Sequence, residues 1–323
     1  LLLKNQIKPE FLQSQVEVGS KICHSIAEAR EDIGKLRRVI IEMAENQKLQ
    51  VAAAGTHPFS TWTDQKVTAG ERYTEHERNM RDVARQMLVF GMHVHIGIED
   101  PELRIDVMNQ SRYFMPHLLA LSTSSPFWHG RDTGLDSYRT IILGTLPRAG
   151  LPPSFGSWNE YQRFLDVLLE TNCVDEPTKI WWDIRPSPTY PTVEFRFCDI
   201  CTRVDEVVCI AALLVGIVAK LIKLRSQNIT WREYRRNLIA ENKWRAVRYG
   251  IHGKLIDFGT RKEFPVPHLI GEVLELIDDV VDELGIRSEV EYVHTILAEG
   301  TSADRQRRVF EESGGDHKAV VDH

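Results

Sequence analysis

The sequence predicts an α+β fold, in which antiparallel strands form a sheet and helices pack behind its apolar face. The strand signal is strongest in segments 91–97 and 192–199, where apolar and polar residues alternate. The helix signal comes from several longer segments with apolar residues near helical spacing. A proline-rich turn at 186–191 joins two strand-like runs and predicts an antiparallel hairpin.

The remaining elements follow in chain order. Residues 24–49 read as an amphipathic helix, followed by a short apolar strand at 49–54. Two more helices, at 71–88 and 101–122, flank the strand at 91–97. Turn-rich loops occupy the middle of the chain, as is typical of a substrate pocket. The elements predicted beyond these loops are an N-capped helix at 158–169, hairpin strands at 179–185 and 192–199, and a buried helix at 207–219.

Two strands carry the residues of chemical interest. Side chains two apart on a strand share a face, so Glu194 and Arg196 project together from one face of the second strand. A solvated ion pair, which contributes only about 0–1 kcal/mol, is the ordinary interpretation of that pattern. In the first strand His93 and His95 share a face, and neutral imidazole is a common metal ligand, although a structural role is as frequent. Together the two strands predict an active-site sheet.

The composition excludes several classes of protein. The net charge of -6 argues against a general nucleic-acid binder, which needs a basic surface. Five cysteines do not make a disulfide framework, so a cytoplasmic protein is expected. No apolar run appears long enough to cross a bilayer. A length of 323 residues suits one large domain or two smaller ones, and we expect a single catalytic domain, 1–323.

Carboxylates extend the polar chemistry beyond the two strands. Glu10 and Glu17 lie near the start of the chain, and two solvated glutamates are an equally good interpretation of them. Carboxylates with an imidazole suit Mg²⁺ or Mn²⁺ better than structural zinc. An adjacent arginine suggests the handling of polyphosphate. The sequence contains no Walker A loop, kinase motif set or GxSxG motif.

At this point the residues match a known family. The sequence resembles the carboxylate–amine ligases of the type 2 glutamate–cysteine ligase family, which have a glutamine synthetase-like fold. The matching segments appear in family order and span most of the chain: 15–18, 55–59, 91–97, 125–128, 182–188, 192–196 and 242–250.

The resemblance implies a curved antiparallel sheet that forms an active-site funnel, where Mg²⁺ ions hold ATP. By matching motifs, the implied metal ligands are Glu10, Glu17, His93 and Glu194. The resemblance also implies that Arg196, with Glu194, serves catalysis by contacting the transferred phosphoryl group. The family pattern includes an upstream strand with a Glu-x-Glu pair, and we expect that this sequence begins after that strand.

The implied reaction has two steps. A substrate carboxylate, expected to be that of glutamate, attacks ATP to give an acyl-phosphate, and an amine, for which cysteine is one candidate, then displaces phosphate. Further residues are expected to bind the substrates. For Arg131 the alternative is an ion pair that only orders its loop. The residues expected to bind the nucleotide are His95, Arg185 and Arg248. Those expected to bind the amino-acid substrate are Arg131, Arg139 and Tyr249.

Two other functions compete with the ligase. A metal-dependent hydrolase could use the His-x-His strand, and a nucleotide-binding or amino-acid-binding protein could retain the fold without catalysis. The expected partners are small amino-acid substrates, with no nucleic acid or membrane, and the apolar helices after residue 207 suggest a homodimer.

Overall fold

The computed structural model describes residues 6–323. Its strands are β1 Ile7–Pro9, β2 Val16–Val18, β3 Gly91–Gly97, β4 Phe127–Trp128, β5 Arg131–Asp132, β6 Ala149–Gly150, β7 Trp181–Trp182, β8 Ile184–Pro186, β9 Thr192–Asp199, β10 Lys254–Asp257 and β11 Lys262–Pro265. Its helices are α1 Ile26–Glu45, α2 Glu71–Met80, α3 Asp82–Arg85, α4 Pro101–Ser111, α5 Met115–Leu121, α6 Tyr138–Leu143, α7 Trp158–Glu170, α8 Val204–Ser226, α9 Arg236–Tyr249, α10 Val266–Val281, α11 Arg287–Glu291, α12 Val293–Glu299, α13 Ser302–Glu312 and α14 His317–Asp322.

The central sheet has three antiparallel strands in the order β3-β9-β8. The predicted hairpin is its β8–β9 half. The other strands pair separately, as β1–β2, β4–β5 and β10–β11 antiparallel and β6–β7 parallel. The α+β class is therefore confirmed. The sheets among residues 6–323 are small, and they do not close into one continuous funnel.

The main core lies behind the apolar face of this sheet. Val193 and Phe195 of β9 are buried there against helices α4 and α5. Helix α8 packs beside them and contacts α1, α10 and α11. It is longer than the sequence predicted, and by length and composition alone it could cross a membrane, but more than half of its most apolar stretch is buried inside the protein.

Four sequence-based elements differ from the structure. Residues 49–54 form no strand, because Leu49 and Val51 are exposed and no neighbouring strand pairs with them among the residues described. The helix predicted over 71–88 breaks at Arg81, which has a positive φ of 51°. The helix predicted over 101–122 divides into α4 and α5. The strand predicted over 179–185 breaks at Asp183, between β7 and β8.

Candidate active site

A row of polar side chains crosses the central sheet. In the strand register, His95 of β3 lies opposite Glu194 of β9, which lies opposite Arg185 of β8. Residues directly opposite on neighbouring strands have adjacent side chains on the same face. The row forms because the hydrophobic alternation of each strand turns its apolar residues toward the core and its polar residues away from it.

Glu194 is the centre of this row. Its side chain is only 4% exposed, and its Oε2 accepts a hydrogen bond of 2.7 Å from Arg185 Nε. Its Oε1 accepts from Arg196 Nη1. Burial acts to raise the pKa of Glu194, but the charges of Arg196 and Arg185 outweigh it and hold that pKa below its usual value. Glu194 is therefore a fixed anion that orients two guanidinium groups.

The two imidazoles border the same carboxylate. His93 Nδ1 and His95 Nε2 each lie 3.7 Å from Glu194 Oε1. Desolvation, followed by the charge of Arg196, lowers the pKa of His93 well below its usual value, and desolvation also lowers the pKa of His95. Both rings are therefore neutral near pH 7, each with one nitrogen that can accept a hydrogen bond.

A β-bulge presents Arg196. At this point β9 has one extra residue, so His93 of β3 lies opposite both Arg196 and Phe197. Arg139 of α6 closes the bulge from behind, since its Nη2 and Nη1 donate to the carbonyl oxygens of Arg196 and Phe197 at 3.1 and 3.2 Å. Arg139 also lies 3.7 Å from the fully buried Asp199. In this structure the predicted substrate ligand Arg139 is thus bound to the backbone of β9.

A cavity of about 60 Å³ opens beside Arg196. Helix α9 contributes Lys243 to its wall, and the break between β7 and β8 contributes Asp183. These two side chains form an ion pair, with 2.7 Å between Lys243 Nζ and Asp183 Oδ2. The other lining residues are His93, Arg139, Thr140, Leu143, Gly144, Gly150, Trp181, Trp182, Arg196 and Phe197.

Other predicted site residues lie apart from this group. Glu10 and Glu17 are neighbours on the β1–β2 hairpin; burial raises the pKa of Glu10, and the adjacent Glu17 adds to that rise. Arg131 is exposed on β5. At the end of α9, the guanidinium of Arg248 lies 4.8 Å from the centre of the Tyr249 ring, and Tyr249 is half exposed.

Comparison with known proteins assigns the chain to a family. The sequence model of the family described as glutamate–cysteine ligase family 2 matches residues 2–323 of this chain. A protein from Chloroflexus aggregans, provisionally named glutamate–cysteine ligase 2, is 53% identical over 321 residues, which cover 99% of this chain and 82% of that protein. A protein of the same name from Solibacter usitatus is 50% identical over 323 residues, 100% of this chain and 84% of its own length. This chain belongs to glutamate–cysteine ligase family 2.

A solved structure supports the fold. A glutamate–cysteine ligase from Francisella tularensis in complex with AMP superposes with a TM-score of 0.69, covering 98% of this chain and 80% of that one, at 14% sequence identity. The family match and the two relatives confirm the family resemblance seen in the sequence. Membership of family 2 makes this chain an ATP-dependent carboxylate–amine ligase.

The metal expected for a family 2 ligase finds no ready ligand set here. Among residues 6–323, no group of three or more His, Cys, Asp or Glu side chains is placed to hold a metal ion. Both oxygens of Glu194 already accept hydrogen bonds from arginines. Glu10 and Glu17 form a pair of their own rather than joining His93 and Glu194. The described residues therefore do not bring these four side chains around one point, and the four-residue ligand set stays a prediction.

Sequence reasoning missed Lys243 and Asp183 as site residues. Both lie within segments that resemble the family, 182–188 and 242–250. Other polar residues of α9 have structural partners away from the cavity. Asn242 hydrogen-bonds the backbone of Ile256, and Arg245 forms surface ion pairs with two glutamates. A lysine on the helix face that meets a break in a strand has no signal in a single sequence.

Proposed function

We propose that this ligase joins the side-chain carboxylate of glutamate to an amine, with cysteine as the first candidate amine, through an acyl-phosphate made from ATP. The observation that carries the proposal is the Glu194 centre, where a buried anion orients Arg196 beside a cavity and two neutral imidazoles border it. The names of the family 2 relatives support glutamate and cysteine, and the AMP complex of the neighbouring structure supports a nucleotide.

The charges explain how the site would promote phosphoryl transfer. Negative charge is spread over the phosphoryl oxygens and builds on the leaving ADP, and preorganised positive groups stabilise it without reorganisation. Arg196 is 20% exposed at its side chain, so one edge of its guanidinium remains free to meet an anion while Glu194 fixes the other. Arg185 is 9% exposed and anchors Glu194 to β8. Arg196 thus contacts substrate, while Glu194 and Arg185 position it.

The neutral imidazoles complete the proposed phosphate site. His93 Nδ1 lies 3.4 Å from Arg196 Nη1, on the cavity side of Glu194. His95 Nδ1 is 3.0 Å from the hydroxyl of Thr192, which fixes the ring orientation. Each ring can present an N–H to a phosphate oxygen. ATP enters as its magnesium complex, which is a substrate of the reaction.

Three further expectations accompany this proposal: the compartment, the remaining ligands and the oligomeric state. All five cysteines of the chain are free thiols in the structure, three of them buried, which agrees with a cytoplasmic protein. Arg131, Arg248 and Tyr249 stay proposed as ligands of substrate and nucleotide. The homodimer stays a prediction.

The test is ADP release with magnesium ATP and glutamate across a panel of amines that includes cysteine. Amine-dependent release is expected, and Glu194→Gln should lower kcat by about 100-fold or more, because Arg196 loses its anchor. Glu263→Gln, the same change on the exposed strand β11, should keep wild-type activity. Glutamate-independent ATP hydrolysis unaffected by Glu194→Gln would contradict the proposal and favour the hydrolase. ATP binding without any turnover would favour a binding protein.

A further inference from the structure

The ion pair between Lys243 and Asp183 has no role in the steps described above. Their side chains are 15% and 11% exposed, so the pair is largely removed from solvent at the cavity wall. Asp183 Oδ2 receives the lysine ammonium, and Oδ1 accepts no hydrogen bond from residues 6–323. Asp183 therefore has an acceptor oxygen to spare beside an ammonium group that it already binds.

Asp183 is joined directly to the residue proposed to contact the phosphoryl group. Its backbone carbonyl accepts a hydrogen bond of 2.8 Å from the backbone N–H of Arg196. Its side chain lines the cavity together with that of Arg196. An amine bound to the carboxylate of Asp183 would therefore lie beside the acyl-phosphate bound at Arg196.

The surrounding charge favours release of a proton from a bound amine. Among the cavity-lining residues that the structure describes, Asp183 is the one carboxylate, and Arg139, Arg196 and Lys243 are cationic. An ammonium beside like charges loses its proton more readily, because they lower its pKa. An amine attacks an acyl-phosphate only in its neutral form, so a site of this kind has the chemistry that the second step needs.

We propose that Asp183 binds the ammonium group of the acceptor amine and accepts its proton, with Lys243 as the positioning residue that holds the carboxylate. This inference rests on the proposed function and deepens it. The carboxylate takes one proton from R–NH3⁺ and later returns it to water. The neutral nitrogen then attacks the acyl carbon and forms the C–N bond. The bond between the acyl carbon and the bridging oxygen breaks, and that oxygen leaves with phosphate. A second proton from the nitrogen is taken up by the phosphate, which leaves as hydrogen phosphate.

The walls of the cavity define the class of amine. Trp181, Trp182 and Leu143 supply apolar surface beside the charged side chains of the cavity. The acceptor is thus a primary amine whose ammonium group meets Asp183 while the carbon atoms next to the nitrogen meet this apolar surface.

Hydroxylamine distinguishes a defect in proton removal from the acceptor amine from a defect in acyl-phosphate formation. It is neutral near pH 7, attacks acyl-phosphates without a protein base, and gives a hydroxamate that is measured by colour. With ATP and glutamate, the wild-type enzyme should form hydroxamate from hydroxylamine and amide from cysteine, or from methylamine where cysteine gives none. Asp183→Asn should lose at least about 100-fold in amide formation and stay within about threefold of wild type in hydroxamate formation.

Two further variants control for structure. Asp183→Asn leaves the Lys243 charge uncompensated, so the double variant with Lys243→Met removes both partners and should fold while showing the same selective loss. Asp183→Glu should recover part of the amide formation. Equal loss of both products in folded variants, or full retention of both, would overturn the role of Asp183. Absence of both products with wild-type enzyme would instead overturn the proposed ligase function, and this inference with it.

Discussion

Gly91, at the start of β3, offers a test of how the bulge is held. A Cβ added at this position would lie 2.0 Å from Arg139 Nη2 and 2.5 Å from its Cζ. The guanidinium cannot move aside without losing its partners, because Arg139 is only 3% exposed. It is held between Asp199 and the carbonyl oxygens of Arg196 and Phe197. We predict that Gly91→Ala displaces Arg139 from these partners.

The size of the effect follows from what is lost. A hydrogen bond from a charged donor contributes about 1.5–3 kcal/mol, and disrupting a buried ion pair costs about 3–5 kcal/mol. The terms overlap, so Gly91→Ala should lower the free energy of unfolding by about 3–5 kcal/mol. Because Arg139 holds the backbone of Arg196, kcat should fall more than KM changes.

The assay is urea unfolding followed by steady-state kinetics, with Gly97→Ala as the matched control. Gly97 ends the same strand, and a Cβ there meets nothing within 4 Å. That control should change stability by less than about 0.5 kcal/mol. If Gly91→Ala were as stable and as active as Gly97→Ala, Arg139 would not be the support of the bulge.

Three other predictions test the frame of the site. Burial lowers the pKa of His117 to about 4, so the unfolded chain, with a His pKa of about 6.5, binds a proton first as pH falls. Stability should therefore drop by up to about 3 kcal/mol between pH 6.5 and 4, and His117→Leu should remove that component from urea midpoints measured across this window. Asn242→Ala should lower stability by about 2–4 kcal/mol in urea, since Asn242 makes two 2.8 Å hydrogen bonds to Ile256, and an unchanged midpoint would contradict that structural role. Ser157→Ala should cost about 1 kcal/mol in the same assay by removing the cap of α7, and no loss would show that the cap is dispensable.

Local patterns predicted much of the frame. The alternation of apolar and polar residues predicted β3 at its observed bounds. It also predicted that the polar faces of β3 and β9 lie on the same side of the sheet, because burial of one face fixes which residues point inward. Ser157 marked the start of α7, since its hydroxyl satisfies a free backbone N–H. Such signals depend only on near neighbours in the chain.

Other features depend on contacts between distant residues. The bulge at Arg196 and Phe197 appears only when β9 is paired with β3, and Arg139 reaches it from a helix that precedes β9 by about fifty residues. The apolar run at 49–54 satisfied the pattern of a strand but has no strand beside it in the described part of the chain. Lys243 joins the cavity through packing of α9. A single sequence does not show which distant residues come into contact in the fold.

Isotope transfer gives the most direct test of the acyl-phosphate. Glutamate labelled with ¹⁸O in its side-chain carboxylate would be turned over with magnesium ATP and the active amine, and the released phosphate analysed by mass spectrometry. Attack of the carboxylate on ATP leaves one of its oxygens on phosphorus when the amine displaces phosphate. We predict phosphate that carries a single ¹⁸O atom, whereas unlabelled phosphate accompanying amide formation would contradict the acyl-phosphate.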